Sequence, residues 1–420
     1  MTYKELTNIE GKYTQSTIDE DLYKINTMFA AFQAFPRAKV RYTYILRSKV
    51  GFPSGFGAIL RDIIQQYSKL ECPKHAEEFL HARASYLPPT FINFLLNFRF
   101  NPSEVGIVQK GEELQIEIEG YFFSASRWEV VLMATISELY FLMTGEADGV
   151  DIYRANNSIE KANHLRLHAI SFADFGTRRR FSYENHLLTV QGLKKGGWDN
   201  FIGTSNVHIA LQEDLKPIGT QGHEWFMFHL AMYGARMANT MGMRNWADVF
   251  NGENGIVLPD TFTSNEFLKV FDKRMSKLYD GTRWDSGSFQ DYTDKFVAHY
   301  KSMNIDHTSK SYVYSDGLNS LEKCYEIVDY GHKTHNIPRN RLPLGIGTWF
   351  TNDVGVTPLN QVIKMWAAQP IQDGRWINVC KISDSFRKVT GDVDEAKLTM
   401  KTLGVNIEDL QNYHVATLEA

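Results

Sequence analysis

The sequence predicts an α/β protein, an irregular (β/α) barrel joined to a second, α+β domain built from the N-terminal part and the C-terminal tail. Three observations predict it. Beyond about residue 160, a short apolar strand, a polar loop and an amphipathic helix recur, which is the grammar of βα units. Earlier, a hairpin lies among helices without that repeat. The 420 residues also exceed what one core usually fills. The implied divisions are 1–150 for the N-terminal domain, 151–360 for the barrel-like catalytic domain, and 361–420 for a C-terminal segment packing back on the first.

Residues 1–20 are polar and read as an arm. In Asp-Leu-Tyr-Lys-Ile-Asn-Thr-Met-Phe-Ala-Ala-Phe (21–32), apolar positions 22, 25, 28, 29 and 32 recur at helical spacing behind an aspartate suited to cap the helix. That spacing makes Tyr23 a core anchor. Residues 40–49, rich in β-branched and aromatic side chains, read as a strand ending in Arg47 and Lys49. Residues 57–100 read as helices interrupted by Leu-Pro-Pro at 87–89. The stretch 105–120 alternates on both sides of a Lys-Gly turn and predicts a hairpin, and 129–143 predicts an apolar helix.

In the second half the predicted strands are 169–176, 201–204, 215–220, 255–259, 281–284, 311–314 and 342–345, with helices over 265–275 and 318–328 among their followers. Residues 376–391 read as a strand and turn returning to the first domain, followed by a capping helix.

A formal net charge of -4 offers no basic field for nucleic acid. Cys72, Cys324 and Cys380 lie far apart without a CxxC pair, which argues against a disulfide framework or a zinc knuckle. The first residues lack the apolar core of a signal peptide, and no apolar run reaches membrane-spanning length, so a cytoplasmic protein without a membrane partner is expected.

In a barrel the strand C-termini carry the chemistry. Here they read Phe-Gly-Thr-Arg (175–178), Gly-Thr-Ser-Asn (203–206), Gly-Thr-Gln-Gly-His (219–223), Asp-Thr (260–261), Arg-Trp-Asp-Ser-Gly (283–287), Ser-Asp-Gly (315–317) and Gly-Ile-Gly-Thr (345–348). These are donors and carboxylates suited to phosphates and sugar hydroxyls, and core packing does not ask for them. The last loop falls where barrels commonly cradle a phosphate with backbone N–H groups. His223 falls where a helix begins, a place that welcomes negative charge. A histidine beside a glutamate is by itself more often a structural hydrogen-bonding pair. The next histidine, His229, is six residues on, which rules out a pair of metal ligands at i and i+4.

Together these motifs resemble the nicotinate phosphoribosyltransferase family, shared with nicotinamide phosphoribosyltransferase. The resemblance runs from Asp-Leu-Tyr-Lys (21–24) to Lys-Ile-Ser-Asp (381–384), and its most specific pieces are Gly-Thr-Ser-Asn-Val (203–207) and Gly-Thr-Gln-Gly-His-Glu-Trp (219–225). It implies condensation of nicotinate with phosphoribosyl pyrophosphate to nicotinate mononucleotide and pyrophosphate, in NAD salvage. ATP would drive the reaction in a ligase-type coupling through a phosphohistidine at His223, with Asp260 orienting the ring and Asp285 as a further catalytic carboxylate.

The resemblance further implies that Phe175 and Tyr23 stack the pyridine, Tyr23 coming from a partner subunit, and that Arg178 meets the nicotinate carboxylate. Ser205 would donate to that carboxylate where relatives preferring the amide carry an Asp. Arg283, Asp316, Gly317, Gly345, Gly347 and Thr348 would hold the phosphoribosyl and phosphate groups, with Arg47 and Lys49 reaching phosphates across a homodimer interface. Mg2+ would arrive on the substrate, with no metal site in the protein itself. A nicotinamide-using relative and a non-catalytic nicotinate- or mononucleotide-binding protein are the alternatives. An aldolase lacks its strand-end lysine here, and a quinolinate enzyme would want more cations near Arg178.

Overall fold

The computed structural model describes residues 1–385 and 388–406. The strands are β1 (Lys39–Leu46), β2 (Val105–Lys110), β3 (Glu113–Tyr121), β4 (Phe172–Asp174), β5 (Phe201–Thr204), β6 (Ile256–Val257), β7 (Gly281–Trp284), β8 (Ser311–Tyr314), β9 (Leu344–Ile346), β10 (Gln361–Gln369), β11 (Ile377–Asn378), β12 (Cys380–Lys381) and β13 (Thr390–Gly391). The tail from 407 and residues 386–387, parts of the predicted C-terminal segment, lie outside the described residues.

Strands β11-β10-β1-β3-β2 form an antiparallel sheet in that order. Its hairpin follows from sequence alone. In β3 the buried Leu114, Ile116 and Ile118 alternate with exposed positions, the period of a half-buried strand. The register runs from Val105 opposite Ile118 to Lys110 opposite Glu113. The C-terminal strand β10 pairs with β1 from Lys39 opposite Gln369 to Leu46 opposite Gln361, so the end of the chain completes the N-terminal sheet.

The second sheet is parallel, in the order β5-β4-β9-β8-β7-β6. Helices separate its strands, among them Tyr183–Gly197 after β4, Phe289–Ser302 after β7 and Leu321–His335 after β8. The expected barrel-like domain beside an antiparallel one is therefore present, with a gap in the ladder between β5 and β6. The predicted strand at 215–220 falls in that gap and is not a strand. It makes a single parallel bridge, Thr204 with Pro217, supported by Ile218 N donating to Thr204 O at 2.8 Å. Pro217 has no N–H to give. The segment also presses on β5, where a Cβ at Gly203 would meet Lys216 O at 2.1 Å. The predicted helix 265–275 is likewise split into Ser264–Leu268 and Lys273–Leu278, the second capped by Asp272, which accepts from Met275 N at 2.8 Å.

The N-terminal stretch is the larger departure from the sequence reading. Residues 13–21 are not a free arm, because Tyr13, Ile18, Asp19 and Glu20 are fully buried. Asp19 takes a forked pair from Arg180, Nη1 to Oδ1 at 2.8 Å and Nη2 to Oδ2 at 3.0 Å, while Asn206 Nδ2 donates to Oδ1 at 2.7 Å. Glu20 pairs with Arg127. Charged residues become core residues here because each brings its counter-ion. Among the described residues no helix is long and apolar enough to cross a membrane.

Burial opposes ionisation of Asp19, yet Arg180 holds its carboxyl down at about 2. Arg180→Met leaves that carboxylate buried without its cation. The expected cost is about 3–5 kcal/mol, read as a lower urea midpoint at unchanged slope, and a loss under about 1 kcal/mol would refute this role for the pair.

Candidate active site

A cavity of about 520 Å³ opens at the C-terminal ends of the parallel strands. It brings together Tyr23, Arg47, Phe175, Arg178, Ser205, His223, Arg283, Asp285, Asp316, Gly317, Gly345, Gly347 and Thr348. Two residues singled out in the sequence are not on its wall. Asp260 stands behind His223, and Lys49 is exposed beyond the end of β1.

His223 is the first residue of the helix His223–Tyr233, with Gly222 at the cap. Its Nδ1 lies 3.0 Å from Thr261 Oγ1, and its Nε2 lies 2.9 Å from Asp285 Oδ2. Lys381, on β12, brings Nζ to 2.7 Å from Nε2. Burial first, then the Lys381 charge, push the ring down to about 4, so it is neutral at physiological pH. A tautomer with the proton on Nδ1 satisfies Thr261 and lets Nε2 accept from Lys381. In that tautomer the Lys381 ammonium holds the Nε2 lone pair and faces Asp285 Oδ2 at 3.8 Å, and Nε2 stands at the cavity wall.

The ring-orienting part expected of Asp260 is therefore filled by Thr261. Asp260 Oδ1 is 3.7 Å from Nε2, while Oδ2 accepts from Ser286 Oγ at 2.5 Å and lies 3.5 Å from Lys381 Nζ. It steadies the lysine more directly than the ring. His223, Asp260 and Asp285 do offer three metal-capable atoms within 4.8 Å of one another. Lys381 Nζ stands beside all three, 3.8 Å from Asp285 Oδ2, so an ammonium already supplies their positive charge.

At the other end, Phe175 rests against Gly345, where a Cβ would meet its ring at 2.3 Å. Tyr23 lines the same chain's cavity, so the expected supply of this ring by a partner subunit does not hold. Its helix, Leu22–Ala34, is fastened where Leu22 N donates to Ser205 O at 2.8 Å and Asp21 bridges Asn206. No ring contact joins Tyr23 to Phe175 among the described residues, and both line the cavity. Arg178 stands near Glu129, with Nη1 3.9 Å from Oε1. Ser205 Oγ donates to Asp21 Oδ1 at 2.7 Å, so its proton is committed and not offered to a ligand carboxylate.

Glu129 belongs to a buried cluster beneath this end. Lys24 Nζ sits 2.5 Å from Glu129 Oε2 and 2.6 Å from Glu224 Oε1, and Tyr42 OH donates to Glu224 Oε2 at 2.5 Å. Lys24 is fully buried.

Seven lysines and arginines and five acids line the cavity. Lys388 Nζ donates to Asp316 Oδ1 at 2.6 Å and Asp285 O at 2.7 Å, and Arg283 Nη1 donates to Thr220 Oγ1 at 2.5 Å. Among the described residues, the Arg47 and Lys364 side chains have neither a hydrogen bond nor an ion pair, and both face the cavity. Such cations suit a ligand rich in phosphate. Sequence reasoning missed Lys364, Lys381 and Lys388. A signal existed for two of them: Lys364 interrupts an apolar strand, and Lys381 opens a stretch already singled out at 381–384.

Residues 170–406 match the Nicotinate phosphoribosyltransferase (NAPRTase) family, and residues 18–137 match its N-terminal domain. The chain is 42% identical over 394 residues to a nicotinate phosphoribosyltransferase of Chromohalobacter salexigens, covering 93% of this chain and 98% of that one. It is 41% identical over 389 residues to one from Desulforapulum autotrophicum, with the same coverage of 93% and 98%. A crystal structure of nicotinate phosphoribosyltransferase from Porphyromonas gingivalis superposes with a TM-score of 0.88 at 36% identity, covering 93% of this chain and all (100%) of that one.

Burial lowers the Lys364 ammonium to about 8. A bound anion favours the charged form, so pyrophosphate titrated calorimetrically at about pH 8.5 is expected to bind with proton uptake, and its affinity to fall as pH rises through 8. Lys364→Arg, which stays charged, is expected to remove both effects. Their persistence in that variant would assign the titration to another group.

Proposed function

The chain belongs to the nicotinate phosphoribosyltransferase family, and from that premise we propose that it condenses nicotinate with phosphoribosyl pyrophosphate, giving nicotinate mononucleotide and pyrophosphate in NAD salvage. ATP drives the step in a ligase-type coupling through phosphorylation of His223. The observation that carries this reading is a neutral His223 whose Nε2 faces the cavity between Lys381 and Asp285, on the same wall as the Phe175 and Arg178 pocket.

In the energising half, the Nε2 lone pair attacks the γ-phosphorus of ATP and ADP leaves with the bridging oxygen. Lys381 neutralises the incoming phosphoryl oxygens, and Asp285 balances the positive charge that develops on the ring. Water later attacks the phosphohistidine, releasing inorganic phosphate and the free imidazole.

In the transfer half, Arg178 meets the nicotinate carboxylate with its guanidinium fork, and Tyr23 and Phe175 hold the ring on its two faces. The pyridine nitrogen attacks the anomeric carbon as the bond to pyrophosphate breaks. The site's work is to orient that nitrogen and stabilise the departing charge through Arg283, Lys364 and Lys388. Gly345, Gly347 and Thr348 face the 5'-phosphate, with Asp316 and Gly317 beside the ribose. Asp285 and Asp316 are the wall carboxylates that would face a Mg2+ carried by the substrate, whose charge would offset that of the departing pyrophosphate. The exposed Lys49 is proposed to serve the cavity of a second subunit in a homodimer.

The test is pyrophosphate release from phosphoribosyl pyrophosphate and Mg2+ with nicotinate or nicotinamide, each with and without ATP. Release with nicotinate, strengthened by ATP, is expected. His223→Ala should lose labelling by γ-labelled ATP and the ATP stimulation while keeping slow transfer. Continued labelling of that variant at another histidine would overturn the assignment, and release with nicotinamide alone would overturn the choice of substrate.

A further inference from the structure

Asp21 occupies the cap position of the helix Leu22–Ala34, yet its side chain makes no capping hydrogen bond. The carboxylate turns to the pyridine end of the cavity, whose wall it shares with Arg178 and Ser205. There Ser205 Oγ donates to Oδ1 at 2.7 Å, and the nearby charge of Arg178 opposes the rise in its pKa that burial causes. Of the five acids on the cavity wall, Glu129 and Glu224 are paired with Lys24, Asp285 lies near Lys381 and Arg283, and Asp316 is paired with Lys388. Asp21 alone has no cation within 4.0 Å among the described residues. It is 3% exposed. Here is a buried carboxylate that neither caps its helix nor has a cation within 4.0 Å among the described residues, on the cavity wall beside Arg178.

We infer that Asp21 is a specificity-determining residue of the pyridine pocket, setting the balance between a carboxylate and a carboxamide on the ring. This rests on the nicotinate reading above. Ionised, Asp21 repels the ligand's carboxylate and weakens the pull of Arg178 on it. Its lone pairs not used by Ser205 can accept from an amide N–H. The hydroxyl of Ser205 does not discriminate by donating to the acid, because it is spent on Asp21. The pocket therefore retains an acceptor for the amide and gives up part of its affinity for the acid.

The test compares wild type, Asp21→Asn and Ser205→Ala by kcat/KM for nicotinate and nicotinamide, by direct binding of each compound, and by thermal midpoint. Asp21→Asn removes the charge and adds a donor, so the nicotinate KM is expected to fall severalfold and the acid-to-amide ratio of kcat/KM to rise roughly tenfold. Ser205→Ala removes a donor and leaves the carboxylate bare, so the ratio is expected to move the other way. Opposite shifts of the two variants are what a purely structural fastening would not produce. An unchanged ratio in Asp21→Asn, or a higher KM for both compounds with a lowered midpoint, overturns the inference. Wild type that binds and turns over neither compound overturns the nicotinate reading itself, and this inference with it.

Discussion

Lys24 is a fully buried ammonium held by two carboxylates, Glu129 and Glu224, and the site depends on that clamp. Three elements meet at it: the helix Leu22–Ala34, the helix Trp128–Thr144 and the helix that begins at His223. No one of these charges is tolerable in a protein interior without the others. Burial raises the Glu224 carboxyl and opposes ionisation of Glu129, yet Lys24 keeps Glu129 at about 2. The same cluster reaches both ends of the cavity. Glu224 follows His223 directly, while Glu129 touches Tyr23 OH at 3.3 Å and stands near Arg178.

A second constraint is that His223, to serve as the proposed nucleophile, must remain uncharged among ions. The carboxylates near His223 would raise its affinity for a proton, whereas burial and Lys381 lower it, and the lowering wins. Burial and Lys381 thus keep the imidazole neutral, and in the proposed phosphorylation Lys381 would offer a counter-charge to the phosphoryl group. A metal ion bound to His223, Asp260 and Asp285 would take the same lone pair out of use. An ammonium that hydrogen-bonds through a proton releases it far more readily.

The legible parts of the fold were those where local chemistry and tertiary role coincide. Phe201–Thr204, Gly281–Trp284 and Ser311–Tyr314 are short runs bounded by turn residues, and they fold as read. So does the hairpin, whose alternation needs no distant partner to make sense. Residues 13–21 were illegible because their burial depends on Arg180 and Arg127, more than a hundred positions away. The stretch 215–220 looks like a strand but meets a proline at its only bridge. Within the site, the glycine, histidine and aspartate motifs at strand ends were visible as motifs. The proton of Ser205 and the partner of Nδ1 were not, since a hydroxyl's partner is decided by what the fold brings to it.

The missing cations have a common physical explanation. The parallel strands and their loops contribute Arg178, Arg179 and Arg283 to the cavity, whereas Arg47 comes from the end of β1 and Lys364, Lys381 and Lys388 from the returning C-terminal segment. The acids nearest the phosphate end, Asp285 and Asp316, belong to barrel loops and would repel a polyanion if left alone. Pairing of β10 along β1 brings Lys364 and Arg47 to those loops, and β12 and its sequel bring Lys381 and Lys388. The cations that balance those acids come from β10 of the antiparallel sheet and from the separate pair β12–β13, so the charge balance that suits phosphates needs the returning C-terminal segment in place.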